Sequence, residues 1–513
     1  MSDALPTLNR ELALSPEFQA RTDLASPVPA TLDLPERVVQ FGTGALLRGF
    51  VEYFLDAANR QGLFDGRVVM VGSTGSGRDE VVNDQDGLYT LTIRGVEGGE
   101  VREERRVIAS VSRALSAKDE WGEVLACARK PELELVFSNT TEIGIVLDEG
   151  DSAEMEPPRS FPGKLTRFLY ERARAFDFDP ARGVVVIPCE LIEDNGGRLR
   201  AIVLQLAERW ELDDRFRAWV EAAVPFCDTL VDRIVPGTPD ADTLAGMHES
   251  LGYRDDLLTT SEVYRLFAIE GDDALRARLR FADADPGIVV TPDVGPYRER
   301  KVRLLNGSHS ITVPAALLCG CETVLEAVEH PLVGPFLRRV MLEEIVPGLE
   351  VPGAEAFAHE VLDRFANPFI RHALIDISLQ QTMKVRVRIV PSILRYAERN
   401  GRAPASLAFG FAAFLLLARG EFQDRRRAAG LPVPADEQGD RLRAYWGTVH
   451  GRDAAALEGL VREVCADTAL WGTDLTEVPG FVEAVAGCLA RMERDGVPAA
   501  LEAHLDEVSA PAA

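Results

Sequence analysis

An amine, an amide and an imidazole lie close together in the stretch from Tyr297 to Val313, which reads YRERKVRLLNGSHSITV. On an α-helix, Lys301, Asn306 and His309 lie at most about 140° apart, so one face carries all three side chains. The charged residues of the first turns are expected to face solvent: Arg298, Glu299, Arg300 and Arg303.

The lysine of this group is unusual for the chain, because only five of its 56 Lys and Arg residues are lysines. Arginine keeps its proton, whereas a lysine that is withdrawn from water shifts its pKa and acts as an acid or base. Taken alone, Lys301 fits a solvated helix residue better than a catalytic one. The two polar neighbours on the same face favour a site, since buried polar groups need partners.

A second polar group lies between residues 367 and 388. If the segment from Lys384 to Arg388 is extended, its alternation places three cations on one side. A basic face in an acidic protein indicates a carboxylate pocket, and a solvated edge is an equally good interpretation. The members of the group are Asn367, Arg371, His372, Lys384, Arg386 and Arg388, of which Arg371 and Lys384 are the candidates for substrate binding.

A strand pattern at Arg37 to Phe41 runs directly into a Gly-Thr-Gly turn and a helical stretch. In this context, glycines let backbone N–H groups approach a pyrophosphate at a helix N-terminus. A third glycine is missing, because Leu47 stands in its place, and a plain tight turn explains a lone GxG equally well. Arg48 could reach back to the phosphates. The first set of cofactor-binding candidates is therefore Phe41, Gly42, Thr43, Gly44 and Arg48.

Further buried strands are indicated at 67–71, 134–137 and 184–187. The strand at 67–71 is not followed by a carboxylate for the adenosine ribose, so preference between NAD and NADP stays open. Polar residues after the strand at 134–137 lie where a cofactor crevice forms, although a solvated turn is as good an explanation. They are Ser138, Asn139, Thr140 and Glu142. Asp232 lies in the apolar segment TLVDRIVP, where a charge needs a partner, and it is a further candidate for substrate binding.

A chain of 513 residues exceeds one hydrophobic core, so at least two domains are expected. We predict an N-terminal arm at 1–30, an α/β Rossmann-type NAD-binding domain at 31–292 and a mainly α-helical substrate domain at 293–513. The apolar run from Leu407 to Ala418 is too short to span a bilayer, and it indicates a buried helix that begins at Ser406 as its N-cap.

Composition excludes several classes of protein. A net charge of -26 argues against nucleic-acid binding. Seven scattered cysteines and the lack of an apparent signal peptide indicate a reduced, cytoplasmic protein with no membrane partner. The chain contains no HExxH, GxSxG or GxxxxGK[ST] motif, so metallopeptidase, simple serine hydrolase and P-loop functions are not expected, and no metal is predicted.

The Lys-x4-Asn-x2-His pattern resembles the signature of the long-chain mannitol dehydrogenase family of polyol and hexuronate dehydrogenases. FGTGALLRGF, FSNTTEIG, IPCELIEDNGG and TLVDRIVPG extend the resemblance over residues 35 to 490. It implies metal-independent hydride transfer with NAD(H), in which Lys301 is the general acid/base, Asn306 polarises the reacting oxygen and His309 orients the substrate. The mannitol and fructuronate members of the family typically carry Cys-Asp-Asn where this chain has Cys189-Glu190-Leu191, so either Asn195 replaces the missing asparagine or Asn306 acts alone.

The resemblance is greatest to the hexuronate reductases of the family and implies reduction of D-tagaturonate to D-altronate by NADH. Fructuronate reduction and mannitol 2-dehydrogenation are the alternatives on the same scaffold. From another class, a dinucleotide-binding regulator without turnover also fits a nucleotide-binding half. The expected partner is a small hexuronate, and the expected assembly is a monomer or a small homo-oligomer.

Overall fold

The computed structural model describes residues 5–73, 77–140, 144–451 and 453–509. The chain divides into two compact units. Unit 1 comprises Met1–Gly95 and Val101–Val294, and unit 2 comprises Val96–Glu100 and Gly295–Ala513.

Eleven strands occur among the described residues. In chain order they are β1 (Glu36–Phe41), β2 (Arg67–Gly72), β3 (Tyr89–Glu97), β4 (Glu100–Ile108), β5 (Val111–Ser116), β6 (Leu135–Ser138), β7 (Val185–Pro188), β8 (Thr229–Asp232), β9 (Thr259–Ser261), β10 (Leu266–Glu270) and β11 (Ile288–Thr291).

The central sheet of unit 1 has the order β5-β2-β1-β6-β7, and all its strand pairs are parallel. Its strands are nearly continuous apolar runs because both faces of the sheet are covered. Alternate residues enter different cores: Val38 packs in one cluster and Val39 in the other. This arrangement confirms the predicted Rossmann-type α/β fold. The strand order reverses between β1 and β6, which is where such sheets bind ligands.

Two smaller sheets, β11-β10-β8 and β4-β3-β9, complete the β structure. The sequence pattern does not indicate β3, β4 or β8. In β4 most side chains are exposed and charged, so the strand lacks the apolar alternation that identifies a half-buried strand. Its pairing with β3 is what makes it a strand.

Residues 5–30 are not the loose arm that the sequence suggests. Two short helices, Arg10–Ala13 and Pro16–Gln19, begin at side-chain caps from Asn9 and Ser15. Phe18 is buried with its ring 5.5 Å from that of Tyr253. Isolated apolar residues in single helical turns give no periodicity, so only the tertiary packing reveals that this segment belongs to unit 1.

The other α-helices of unit 1 are Ala45–Arg48, Val51–Arg60, Arg78–Asp84, Trp121–Ala128, Phe161–Ala175, Asn195–Arg209, Asp214–Ala223, Ala241–Leu251 and Asp273–Arg278. Unit 2 is mainly helical, as predicted. Its α-helices are Gly295–Arg300, Ser308–Leu318, Val324–Glu329, Val333–Arg339, Ala354–Phe365, Leu374–Ile377, Gln381–Lys384, Val390–Asn400, Ala405–Ala418, Glu421–Ala428, Gly439–Gly447, Ala454–Ala466, Thr468–Trp471, Phe481–Asp495 and Val497–Ser509.

The apolar helix Ala405–Ala418 is buried in unit 2, as expected, but its cap differs from the prediction. The carboxylate of Glu344 accepts hydrogen bonds from the backbone N–H groups of Ser406 and Leu407, each at 2.7 Å. A distant carboxylate therefore caps the helix, and Ser406 lies inside its first turn. Within the described ranges, no single helix is long and apolar enough to cross a membrane, and one bent pair, Ala405–Ala418 with Glu421–Ala428, meets the criteria of length and composition only when combined.

Three π-helices interrupt the α-helices of unit 2: Lys301–Gly307, Val340–Ile345 and Val385–Ile389. We call them the first, second and third π-helix. The first and third are joined by Arg303, whose Nη1 donates to the carbonyls of Val387 at 2.5 Å and Arg388 at 2.9 Å. Arg303 is therefore buried, not solvent-facing as predicted, and the segment from Lys384 to Arg388 is helical, not extended.

Candidate active site

The Gly-Thr-Gly turn of unit 1 follows β1 at the position where the strand order reverses. Gly42 has φ +127°, and its N–H donates to the carbonyl of Val71 at 2.9 Å. A Cβ at this position would lie 3.1 Å from the carbonyl oxygen of Asn139. Only glycine combines this backbone conformation with so close a neighbour, and the bare backbone leaves room for a ligand. The turn therefore fits a dinucleotide pyrophosphate.

Arg48 supports this turn from inside unit 1. Its Nη1 donates to the carbonyl of Thr43 at 2.6 Å and its Nε to Thr259 Oγ1 at 3.2 Å. The side chain is buried, and burial lowers the pKa of its guanidinium. The contact that Arg48 makes with the turn is therefore the one with Thr43, not the reach toward phosphates that the sequence suggests.

A buried carboxyl group lies beneath the same turn. Gln40 Nε2 donates to the carbonyl of Gly42 at 3.0 Å and to Glu52 Oε1 at 2.7 Å. The hydroxyl of Tyr89 lies 2.6 Å from Glu52 Oε2 and 2.8 Å from the carbonyl of Arg48. Burial raises the pKa of Glu52 to about 7. A protonated Glu52 satisfies both contacts, since it donates to the Tyr89 oxygen while Tyr89 donates to Arg48.

The second cofactor-binding set follows β6. Thr140 donates from its backbone N–H to Glu190 Oε1 at 3.0 Å, and Ser138 donates from Oγ to Glu190 Oε2 at 3.1 Å. The side-chain amide of Asn139 donates to the carbonyl of Cys189 at 2.7 Å. These bonds fix the carboxyl ends of β6 and β7 beside the Gly42 turn. Glu142 was predicted in the same set and lies outside the described residues.

Asn195, the candidate to replace the missing asparagine, has hydrogen-bond partners within unit 1. It is fully buried, and its Nδ2 donates to Pro188, Glu190 and Thr229 at 3.0–3.1 Å. Its Oδ1 accepts from the backbone N–H groups of Gly196 and Thr229. Both ends of the amide are occupied, so Asn195 ties two strands of unit 1 together and a substrate-binding role is not supported.

Asp232, the remaining candidate in unit 1, is the last residue of β8. It is buried, and its backbone pairs with that of Leu266 in β10. Its assignment to substrate binding stays a prediction.

In unit 2, the first π-helix changes the geometry of the proposed catalytic residues. Lys301 and Asn306 are five residues apart, and the wider turn of a π-helix brings residues at this spacing closer to one side of the helix. An α-helix would separate them by about 140°. The α-helix that begins at Ser308 then places His309 one turn beyond Asn306. The π-helix thus aligns the amine and the amide better than the sequence alone indicates.

His309 is half-buried, and positively charged side chains surround it. Its ring is 3.8 Å from that of Phe365 and 5.6 Å from that of His372, between ring centres. Burial holds the pKa of His309 well below its usual value, and nearby positive groups lower that pKa further: His372, Arg364, Arg388 and Lys384. The imidazole is therefore neutral at neutral pH and donates one hydrogen bond while accepting another.

The two predicted cations of unit 2 are placed differently. Lys384 donates from Nζ to the carbonyl of Ile377 at 2.8 Å, and burial, followed by the charge of Arg388, lowers its pKa. Arg371 is exposed. It is among the groups that lower the pKa of Glu326, after the hydrogen bond from the backbone of Glu322. Lys384 thus belongs to the group around His309, whereas nothing places Arg371 there.

Phe365, Arg364 and Ser310 also lie around His309 or next to it, and no pattern in the sequence indicates a role for them. Arg388 donates from Nη1 to Ser310 Oγ at 3.2 Å, and Ser310 Oγ donates to the carbonyl of Asn306 at 2.8 Å. Spacing along the chain carries no signal for the contact between Arg388 and Ser310, because these residues are 78 positions apart. In the part of the chain that the structure describes, no cluster of His, Cys, Asp and Glu has the geometry to hold a metal ion.

Comparison with known proteins is consistent with this geometry. A family model described as the mannitol dehydrogenase Rossmann domain matches residues 36–282, and one described as the mannitol dehydrogenase C-terminal domain matches residues 293–493. Altronate oxidoreductase of Bacillus subtilis (strain 168) is 40% identical over 478 residues, which cover 92% of this chain and 95% of that protein. Altronate oxidoreductase of Pectobacterium carotovorum (strain PC1) is 42% identical over 479 residues, which cover 92% and 97%.

Two solved structures share the fold. A ternary complex of Pseudomonas fluorescens mannitol 2-dehydrogenase with NAD and D-mannitol has a TM-score of 0.65 at 25% identity, covering 98% of this chain and 100% of that one. A substrate-free D-sorbitol dehydrogenase has a TM-score of 0.74 at 22% identity, covering 96% and 100%.

Proposed function

This chain belongs to the mannitol dehydrogenase family, and on that premise we propose that it reduces D-tagaturonate to D-altronate with NADH. It is an NAD-dependent dehydrogenase that acts on a secondary alcohol or the corresponding ketone. The choice of hexuronate follows the altronate oxidoreductases, which are 40–42% identical to it over about 92% of its length.

Unit 1 fits the dinucleotide through the turn at Gly42, where a Cβ would fill the space next to Asn139. Bound NADH supplies the hydride. The residues of this chain that would hold it are those of the turn and of the end of β6: Phe41, Gly42, Thr43, Gly44, Ser138, Asn139 and Thr140. Glu142, outside the described residues, and Arg48, which acts through Thr43, complete the proposed set.

Unit 2 supplies the acid and the hydrogen-bond donors. As hydride reaches the carbonyl carbon, negative charge builds on the oxygen, and fixed donors with one proton source lower the barrier. Lys301 donates its proton to that oxygen, Asn306 donates a hydrogen bond to it, and neutral His309 orients the substrate. In the direction of oxidation, Lys301 accepts the hydroxyl proton.

The observation that carries the proposal is the π-helix under Lys301 and Asn306. An amine and an amide on the same side of the helix are suited to meet one oxygen atom, which is what protonation of a developing alkoxide requires. π-Helical turns are rare and are frequently found at functional sites.

The decisive assay follows NADH absorbance with purified protein in EDTA, with tagaturonate, fructuronate and fructose offered in parallel. We expect rapid oxidation with tagaturonate and much slower oxidation with the other two ketones. A preference for fructuronate or fructose would change the assigned substrate and leave the proposed mechanism unchanged. If none of the three ketones leads to oxidation of NADH or NADPH, a dinucleotide-binding regulator is favoured instead.

We also propose that the reaction takes place in the cytoplasm, in a monomer or small homo-oligomer. All seven cysteines are free thiols, which fits a reducing compartment. The substrate is a small anion.

A further inference from the structure

Arg388 is a half-buried arginine of unit 2 whose guanidinium has no ion pair with a carboxylate among the described residues. Arg303 and Arg395 share Glu299, at 2.9 and 2.5 Å, and Arg339 pairs with Glu343 at 2.8 Å. The guanidinium of Arg388 makes one hydrogen bond, to Ser310 Oγ at 3.2 Å, which leaves most of its N–H donors for a ligand.

On the basis of the proposed function, we propose that Arg388 binds the carboxylate of the hexuronate substrate and thereby sets the preference for acidic over neutral ketoses. The guanidinium carries five N–H donors in a planar fork, and one of them is used by Ser310. Those that remain match the two oxygens of a carboxylate, which arginine binds in a bidentate manner.

The position of Arg388 connects it to the catalytic residues. Ser310, which holds its Nη1 at 3.2 Å, is the residue after His309 and also donates to the carbonyl of Asn306 at 2.8 Å. Arg388 is half-buried and close enough for its charge to act on His309 and on Lys384. A bound carboxylate would therefore lie beside the proton donors and relieve the repulsion among these cations.

Neighbouring cations fit this role less well. Lys384 already donates to a backbone carbonyl, and its ammonium binds as a point charge without the geometry of a fork. Arg371 is exposed. Arg386, two residues from Arg388, is exposed, and its Nε lies 3.3 Å from the Cβ position of Gly472, away from the contacts of Arg388.

The test compares Arg388→Met with Arg386→Met, which removes the same charge two residues away. Each protein is assayed with tagaturonate and with D-tagatose, which carries a hydroxymethyl group in place of the carboxylate. We expect Arg388→Met to lower kcat/KM for tagaturonate about 10- to 100-fold, mainly through KM, and to change that for D-tagatose less than about threefold. Arg386→Met should leave the ratio between the two substrates unchanged.

Arg388→Lys keeps the charge and serves as a second variant in case Arg388→Met misfolds. We expect it to lower kcat/KM for tagaturonate selectively as well, but by a smaller factor. Equal losses on both substrates, or an unchanged preference for tagaturonate in Arg388→Met, would overturn the role of Arg388 while leaving the proposed reaction intact. A wild-type enzyme that does not prefer tagaturonate to D-tagatose would refute the proposed function itself, and this inference with it.

Discussion

The turn at Gly42 in unit 1 and the group around His309 in unit 2 differ in how their charged side chains are surrounded. Arg48 and Glu52 lie under the turn, and each has two hydrogen-bond partners within unit 1 at 2.6–3.2 Å. Around His309, in contrast, several cations lie close together: Arg388 and Lys384 both lower the pKa of His309, and Arg388 also lowers that of Lys384. Arg388 has no carboxylate partner among the described residues.

This difference follows from the ligand proposed for each region, which is a pyrophosphate in unit 1 and a substrate carboxylate in unit 2. A pyrophosphate held by backbone N–H groups needs a rigid turn, and rigidity comes from polar groups that are satisfied before the ligand arrives. A substrate carboxylate needs cations whose donors are not already used by the protein. In the proposed reaction, the polar side chains under the turn of unit 1 hold its shape, and Arg388 of unit 2 retains N–H donors for the substrate carboxylate.

The largest effect is expected for Lys301→Ala, which removes the proposed proton source. We expect kcat to fall by about 10²- to 10⁴-fold, the usual contribution of a general acid. NADH binding, followed by fluorescence titration, should be unaffected because the nucleotide site belongs to unit 1. Lys118→Ala, at an exposed lysine of unit 1, is the matched control and should retain full turnover. Normal kcat in Lys301→Ala would refute the mechanism.

Gly42→Ala examines the rigidity of the nucleotide turn. Because φ is +127° and the added Cβ would lie 3.1 Å from the Asn139 carbonyl, we expect the free energy of unfolding to fall by about 1–3 kcal/mol. Denaturant unfolding without cofactor measures this loss. Gly44→Ala is the control for stability, since Gly44 has φ -68° and no atom within 4 Å of its Cβ position. If both variants unfold like the wild type, the turn is not held as described.

Glu52→Gln examines the buried carboxyl group of unit 1 through pH. The folded-state pKa of about 7 lies above the ordinary value of 4.5, so protonation favours the folded state. The corresponding stability is complete below pH 4.5 and disappears as pH rises through 7. We expect the wild type to lose about 2 kcal/mol relative to Glu52→Gln between pH 5 and 8. Urea unfolding at both pH values measures the difference, and parallel pH dependence in the two proteins would show that Glu52 does not titrate there.

Local patterns in the sequence were sufficient to predict the buried parallel strands of unit 1. Buried parallel strands are apolar along their whole length, so β1, β2, β6 and β7 are visible as short runs ending in polar or glycine-rich turns. Exposed strands such as β4 have no comparable pattern. The packed segment before residue 30 was missed for the same reason.

The candidate site divides in a similar way. The types and spacing of Lys301, Asn306 and His309 identify a group with acid/base potential, and their catalytic roles remain predictions that the assays above test. Asn195 shows the limit of this reasoning, because an asparagine in a promising loop is indistinguishable in sequence from one whose amide is fully used by Pro188, Glu190 and Thr229.

By itself, the sequence determined the Rossmann-type half, the helical half and the residue types available for chemistry, because hydrophobic periodicity, glycine turns and side-chain identity are local properties. Only the tertiary structure decided how those residues are used. Arg303 binds the carbonyls of Val387 and Arg388 and so joins two π-helices that lie some 80 residues apart in the chain. That contact brings Arg388 to Ser310 and His309. Such long-range hydrogen bonds depend on where each helix packs, which no spacing within a single segment specifies.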